Sequence, residues 1–75
     1  TRHKGRLDLL VEAEEHLYLM EFKLNEPIEN AIEQIKNREY AAAYKNSSKT
    51  VHLVGISFSK EERNVEDWSV EIWER

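Results

Sequence analysis

One helix-length stretch, running over residues 27–45, stands between two pairs of strand-like runs and dictates most of what this chain can become. Its apolar residues Ile28, Ala31, Ile32, Ile35 and Ala42 recur at helical spacing, so one stripe faces a core. Pro27 falls near the first turn, where its missing N–H costs nothing, and Asn25 or Glu26 is the expected cap. A connection of roughly twenty residues is long enough for a crossover, so the strands on either side of it are expected to be parallel. Such a connection is right-handed in ~98% of cases.

The runs themselves are read from their alternation. Residues 7–13 and 17–24 are rich in aliphatics and are separated by Glu14, Glu15 and His16, which predicts a β-hairpin without an Asn-Gly turn. Residues 46–49 and 60–64 are polar and charged loops. Residues 51–58 are almost continuously apolar, as in a strand buried on both faces. Residues 68–73 alternate, with Trp68, Val70 and Ile72 on one side. Trp68 is therefore expected in the core, and Trp73 on the other side is expected either exposed or against a partner. The expectation is an α/β fold with a mixed four-stranded sheet in the order β-β-α-β-β, forming a single domain over residues 1–75. A lone helix covers one sheet face, which leaves the other without a cover from this chain.

Composition narrows the class. Leu, Ile, Val and Phe make up 19 of 75 residues, above the ~20% below which chains tend to stay disordered. A folded but thin core follows, because a chain this short buries only about 60% of its unfolded surface. There is no cysteine, which excludes disulfides and Cys-based zinc sites. No apolar run reaches the ~18 residues of a membrane span, and no signal peptide is visible. With Thr1 in place of an initiator methionine, the sequence reads as a piece of a longer soluble, cytoplasmic protein. A net charge of −4 argues against a purely electrostatic DNA-coating protein. Arg2, Lys4 and Arg6 nonetheless form a basic arm, suited to phosphate contact or simply to solvation.

The chemistry gathers on the hairpin. Residues two apart in a strand share a face, so Leu17, Leu19, Glu21 and Lys23 point one way and Tyr18, Met20, Phe22 and Leu24 the other. Glu21 and Lys23 thus end an otherwise apolar row, where charges are costly unless paired or bound. With the turn centred on Glu14 and Glu15, Asp8 lies opposite Glu21 and Arg6 opposite Lys23. Opposed residues have Cβ atoms ~4.5–5.5 Å apart. A one-residue slip would send Asp8 to the other face. Two converging carboxylates repel, and a divalent cation of the Mg²⁺ or Mn²⁺ type removes that cost. A neighbouring lysine completes the parts for metal-assisted phosphodiester hydrolysis. The same spacing also fits a surface ion pair on a sheet edge, worth little.

Taken in order, Gly5-Arg6-Leu7-Asp8-Leu9, Tyr18-Leu19-Met20-Glu21-Phe22-Lys23-Leu24, Gln34-Ile35 with Tyr40, and Leu53-Val54-Gly55-Ile56 resemble the PD-(D/E)XK nuclease superfamily. The likeness is to the version at the C-terminus of bacterial AAA-ATPase-like proteins, where Arg63-Asn64 and Trp68 also have counterparts. The resemblance implies a restriction-endonuclease-like core fragment and Mg²⁺- or Mn²⁺-dependent hydrolysis of DNA. It implies that Asp8, Glu21 and the backbone carbonyl of Phe22 bind the metal, that Lys23 orients or activates water, and that Gln34 lies near the site. Leu7 stands where the family's namesake proline is usual, and Gln34 and Tyr40 are six apart, where the RecB-like branch has a shorter spacing. The family core opens with a helix and a strand that precede Gly5. Expected partners are therefore DNA and either a second copy of the chain or an N-terminal segment of the same protein. The alternative function is a non-catalytic interaction or oligomerisation module attached to an AAA-ATPase-like protein.

The remaining candidates read as structural. His3, His16 and His52 are scattered over an arm, a turn and a strand, with no helical metal-binding spacing, so no His-based site is expected. Tyr40 and Tyr44 lie one turn apart and either shield a core edge or stack on bases. Gly55 inside a buried strand signals close backbone approach or helix packing. With no Gly-rich phosphate loop, ATP binding by this segment is not expected.

Overall fold

A computed structural model describes residues 7–74. The basic arm, His3 and the pairing of Arg6 with Lys23 therefore lie outside the described residues. Four strands and one α-helix form in the expected order: β1 (Leu9–Glu12), β2 (His16–Leu24), α1 (Ile28–Asn37), β3 (Thr50–Ser59) and β4 (Asn64–Ile72). A 3₁₀ segment, Tyr40–Tyr44, follows α1. The sheet order is β1-β2-β3-β4, with β2 and β3 parallel and both outer pairs antiparallel. Its thin dimension is 17 Å, as one sheet layer and one helix layer require.

The hairpin closes where the charges predicted. Ala13 N–H donates to the His16 carbonyl at 2.8 Å across Glu14 and Glu15, and Leu9 pairs with Met20 and Leu10 with Leu19. Because β2 and β3 run in parallel register, Leu17 lies beside Val51, Leu19 beside Leu53 and Glu21 beside Gly55. Onto this row packs α1, through Ala31, Ile32 and Ile35. Leu19, Ile35, Val51 and Leu53 are completely buried. Gly55 is what lets α1 settle. A Cβ there would stand 2.9 Å from the Ala31 Cβ, closer than real Cβ atoms approach, and a tight 3.3 Å from Ile32 Cγ1.

Several expectations are corrected. The helix stops at Asn37 because Glu39 turns into the left-handed region, with φ 57°. The phase shift buries Ala41 and leaves Ala42 exposed. Tyr40 and Tyr44 then pack half-buried on the core edge, the shielding role. Pro27 occupies the cap position itself, and no side chain caps α1. Asn25 instead adopts a φ of 57°, and its Oδ1 accepts the Lys60 N–H at 3.0 Å. The first strand is shorter than expected. The last is longer, starting at Asn64, with a bulge opposite Ser57 and Phe58.

The tryptophans exchange roles. Trp68 pairs with Ile56 on the face away from α1 and is 66% exposed, beside exposed Val70 and Ile72. Trp73 packs half-buried against the core on the helix side. Likewise β3 is sealed on the helix side but only half-buried at His52, Ile56 and Phe58 on the other. No helix among the described residues covers that second face.

Candidate active site

The apolar row of β2 runs Leu17, Leu19 and then, beyond the reach of the core, Glu21 and Lys23. These two remain beneath the edge of α1 and are held there by Gln34, one residue before the buried anchor Ile35. Lys23 Nζ donates to Gln34 Oε1 at 2.5 Å, and Gln34 Nε2 donates to Glu21 Oε2. A single amide thus joins a cation to an anion, using its acceptor for one and its donor for the other. Glu21 is only 4% exposed. Its second oxygen, Oε1, is buried and has no hydrogen-bond partner among the described residues.

Asp8 reaches the same end of the hairpin. Its Oδ2 accepts the backbone N–H of Phe22 at 2.8 Å, which fixes the carboxylate one residue along from Glu21. Burial raises the Glu21 carboxyl above its ordinary value, and the nearby Asp8 charge raises it further. Lys23, Arg38 and the backbone N–H of Asp8 act in the opposite sense. A buried oxygen without a donor, beside a second carboxylate, is a hard-oxygen donor set of the kind that suits Mg²⁺ or Mn²⁺. Asp8 and Glu21 therefore fit a divalent cation, although among the described residues no third His, Cys, Asp or Glu joins them in a metal-sized cluster.

A cleft of about 340 Å³ opens beside this group, lined by Lys23, Gln34, Asn30, Asn37, Arg38 and two acids, Glu26 and Glu33. At the entry to α1, Ser57 Oγ donates to the Glu26 carbonyl at 2.7 Å and Asn30 Nδ2 to Glu26 Oε1 at 3.1 Å. The structure thus brings together Asp8, Glu21, Lys23 and Gln34, with Phe22 contributing its N–H to Asp8. Sequence reasoning missed Arg38 and Asn30. Their signal was available, since positions 30, 34, 37 and 38 share the helix side that carries Gln34. Tyr40 does not line the cleft, and its hydroxyl is buried without a hydrogen-bond partner among the described residues.

Among the described residues neither His16 nor His52 lines this cleft, but the two meet elsewhere. His16 Nδ1 lies 3.0 Å from His52 Nε2 at the starts of β2 and β3, the strand ends away from the cleft, and on the helix-free face.

A sequence model of the PD-(D/E)XK nuclease superfamily matches residues 1–68. A protein of Azotobacter chroococcum mcd 1, described as "Uncharacterized protein in vnfD 5'region", is 40% identical over 73 residues, covering 95% of this chain and 14% of its own length. The chain thus spans about a seventh of that curated relative. No solved structure matches.

Proposed function

The chain belongs to the PD-(D/E)XK nuclease superfamily, and on that premise we propose that it forms the catalytic part of an Mg²⁺- or Mn²⁺-dependent enzyme that hydrolyses DNA phosphodiester bonds. The observation that carries this reading is the buried, donor-less oxygen of Glu21 at the end of an apolar row, beside Asp8 and tied through Gln34 to Lys23. Asp8, Glu21 and the backbone carbonyl of Phe22 would hold the cation. When bound, it supplies Lewis-acid stabilisation of charge at phosphorus and a lower pKa for water.

The chain's own residues do the rest. Lys23 keeps its ammonium at the mouth of the cleft, where it orients the attacking water and offsets charge developing on the phosphoryl oxygens. Gln34 limits Lys23 to one direction, so that this donor does not have to be ordered during the reaction. Asn30, Asn37 and Arg38 offer donors along the cleft to a phosphate backbone. Glu26 and Glu33 repel it and thereby restrict which path a strand can take.

The test is nicking of supercoiled plasmid by the full chain with Mg²⁺ and with Mn²⁺, alongside Asp8→Ala, Glu21→Ala and Lys23→Ala. Metal-dependent nicking that disappears in all three supports the reading. No metal binding and no nicking at millimolar metal overturns it, in favour of a non-catalytic interaction module. The exposed apolar face favours that second reading.

The helix-free face also has a proposed occupant, a further segment of the same polypeptide. Leu9, Val11, Met20, Phe22, Ile56, Trp68 and Val70 line this face without a Lys, Arg, Asp or Glu among them. Depletion of charge marks permanent contacts more than transient ones. The curated relative is several times longer than the matched stretch, long enough to hold such a segment and, as the resemblance implies, an AAA-ATPase-like part. The isolated chain is then expected to self-associate in sedimentation experiments and the longer protein not to do so through this face. A chain that stays monomeric at high concentration would count against this.

A further inference from the structure

We propose that His16 and His52 form a second metal site, remote from the carboxylates, in which the two imidazoles chelate a divalent late transition ion, Cu²⁺ or Ni²⁺ ahead of Zn²⁺. His16 opens β2 and His52 is the third residue of β3. Parallel register sets His16 beside Thr50 and Tyr18 beside His52, so the two histidines stand diagonally on the same face of the two central strands. Their ring centroids are 5.1 Å apart, and Nδ1 of His16 lies 3.0 Å from Nε2 of His52.

That separation is informative. Two neutral imidazoles so placed share one N–H, which one nitrogen donates to the lone pair of the other. If the shared proton moves to the outer nitrogen of its own ring, so that Nε2 of His16 and Nδ1 of His52 carry the two N–H groups, two lone pairs face the same gap. Metal–nitrogen bonds of about 2.0–2.1 Å spanning 3.0 Å make an angle near 95° at the ion. This suits neighbouring positions of a square-planar or tetragonal field better than a tetrahedron, whose wider angle needs nitrogens ~3.3 Å apart. Imidazole nitrogen in tetragonal geometry points to Cu²⁺ or Ni²⁺.

The pair is also held in place. Tyr18 stacks on His52 with centroids 4.7 Å apart and planes 14° from parallel. The Thr50 N–H donates to the Glu15 carbonyl at 3.0 Å, which locks the two strand starts together behind the rings. His16 is exposed, so water can fill the remaining positions. No third His, Cys, Asp or Glu completes the set among the described residues. Glu21 lies five residues further along β2 and on the opposite face, roughly 16 Å away at the rise of a strand. An ion at the histidines would therefore clamp the two strand starts and take no part in phosphodiester chemistry.

The experiment is a Cu²⁺ titration of the full chain in a His3→Gln background, which leaves His16 and His52 as its histidines. It is followed by electron paramagnetic resonance, with Ni²⁺ and Zn²⁺ competition. The expected result is one bound equivalent whose spectrum carries coupling to two imidazole nitrogens. Affinity should fall at least about tenfold in His16→Gln and in His52→Gln, leaving a one-imidazole spectrum. Circular dichroism checks that each variant is folded, and exposed His16 offers the safer substitution. Unchanged affinity in folded His16→Gln, or a one-imidazole spectrum in the parent chain, overturns the proposal. Glu21→Gln should leave the spectrum unaltered; its loss there would move the ion to the carboxylates and equally overturn the assignment. Either outcome leaves the plasmid-nicking test of the nuclease reading independent.

Discussion

The two faces of this sheet are built from the same alternating strands, yet they end in opposite conditions. On the helix side, α1 seals Leu19, Leu53 and Val51, and at its edge Glu21 is buried while Lys23 remains partly exposed. On the other side the side chains are as apolar, but Trp68, Val70 and Ile72 remain more than half exposed. Hydrophobic pattern alone therefore does not say which face is a core. What distinguishes them is the position of the glycine. Gly55 on one face admits a helix to backbone distance, and no comparable gap exists opposite Trp68.

Six substitutions break or sharpen this contrast. The largest effect is expected on the chemistry: Lys23→Ala should lower plasmid nicking about a thousandfold or more, near 4 kcal/mol in barrier. Val70→Thr on the opposite face should leave it within about threefold, or 0.6 kcal/mol. Next comes the core. Ile35→Ala should cost about 2–5 kcal/mol by urea denaturation, and Ile72→Ala less than about 1 kcal/mol in the isolated chain. A larger cost for Ile72→Ala in the longer protein would locate the proposed cover. Third, Gly55→Ala should cost about 1–3 kcal/mol and reduce nicking as well, since it lifts Gln34 away from Lys23 and Glu21.

The smallest effect is a gain. The Glu21 carboxyl sits above its ordinary value of 4.5, first through burial and then through Asp8. Between the ordinary and the raised value the folded chain binds more protons than the unfolded one, so stability falls as pH rises through that window. Above it the charged carboxylate is fully penalised, and below the ordinary value the penalty vanishes. Glu21→Gln should therefore stabilise the metal-free chain by about 1 kcal/mol near neutral pH and by nothing at pH 4. Thermal melts at the two pH values check this. Divalent metal should narrow the gap by favouring the ionised parent.

Much of the site was legible because it depends on local rules. The Glu14-Glu15 turn fixed the hairpin register, and register alone put Asp8 opposite Glu21. The crossover length made β2 and β3 parallel, and Gly55 announced the helix contact. The break at Glu39 was hidden, because a left-handed glutamate has no compositional mark and is held there by the packing of Tyr40, Ala41 and Tyr44. Asn25 looked like a cap by type, but its side chain serves Lys60, thirty-five residues away. Trp68 and Trp73 were separated correctly by parity and assigned to the wrong sides. Parity divides a strand into two sets without saying which set the helix meets. The histidine pair needed the relative offset of two parallel strands, which only the Leu17–Val51 and Leu19–Leu53 core contacts determine.

β1 is four residues long, and all four are exposed. Asp8 precedes it and is anchored by one bond to the Phe22 amide. The edge of the sheet can therefore peel away at a small fraction of the free energy needed to open β2 and β3. On the nuclease reading, heating should abolish plasmid nicking well before circular dichroism registers collapse, because Asp8 leaves with the fraying ribbon while the helix-covered aliphatics behind it stay packed.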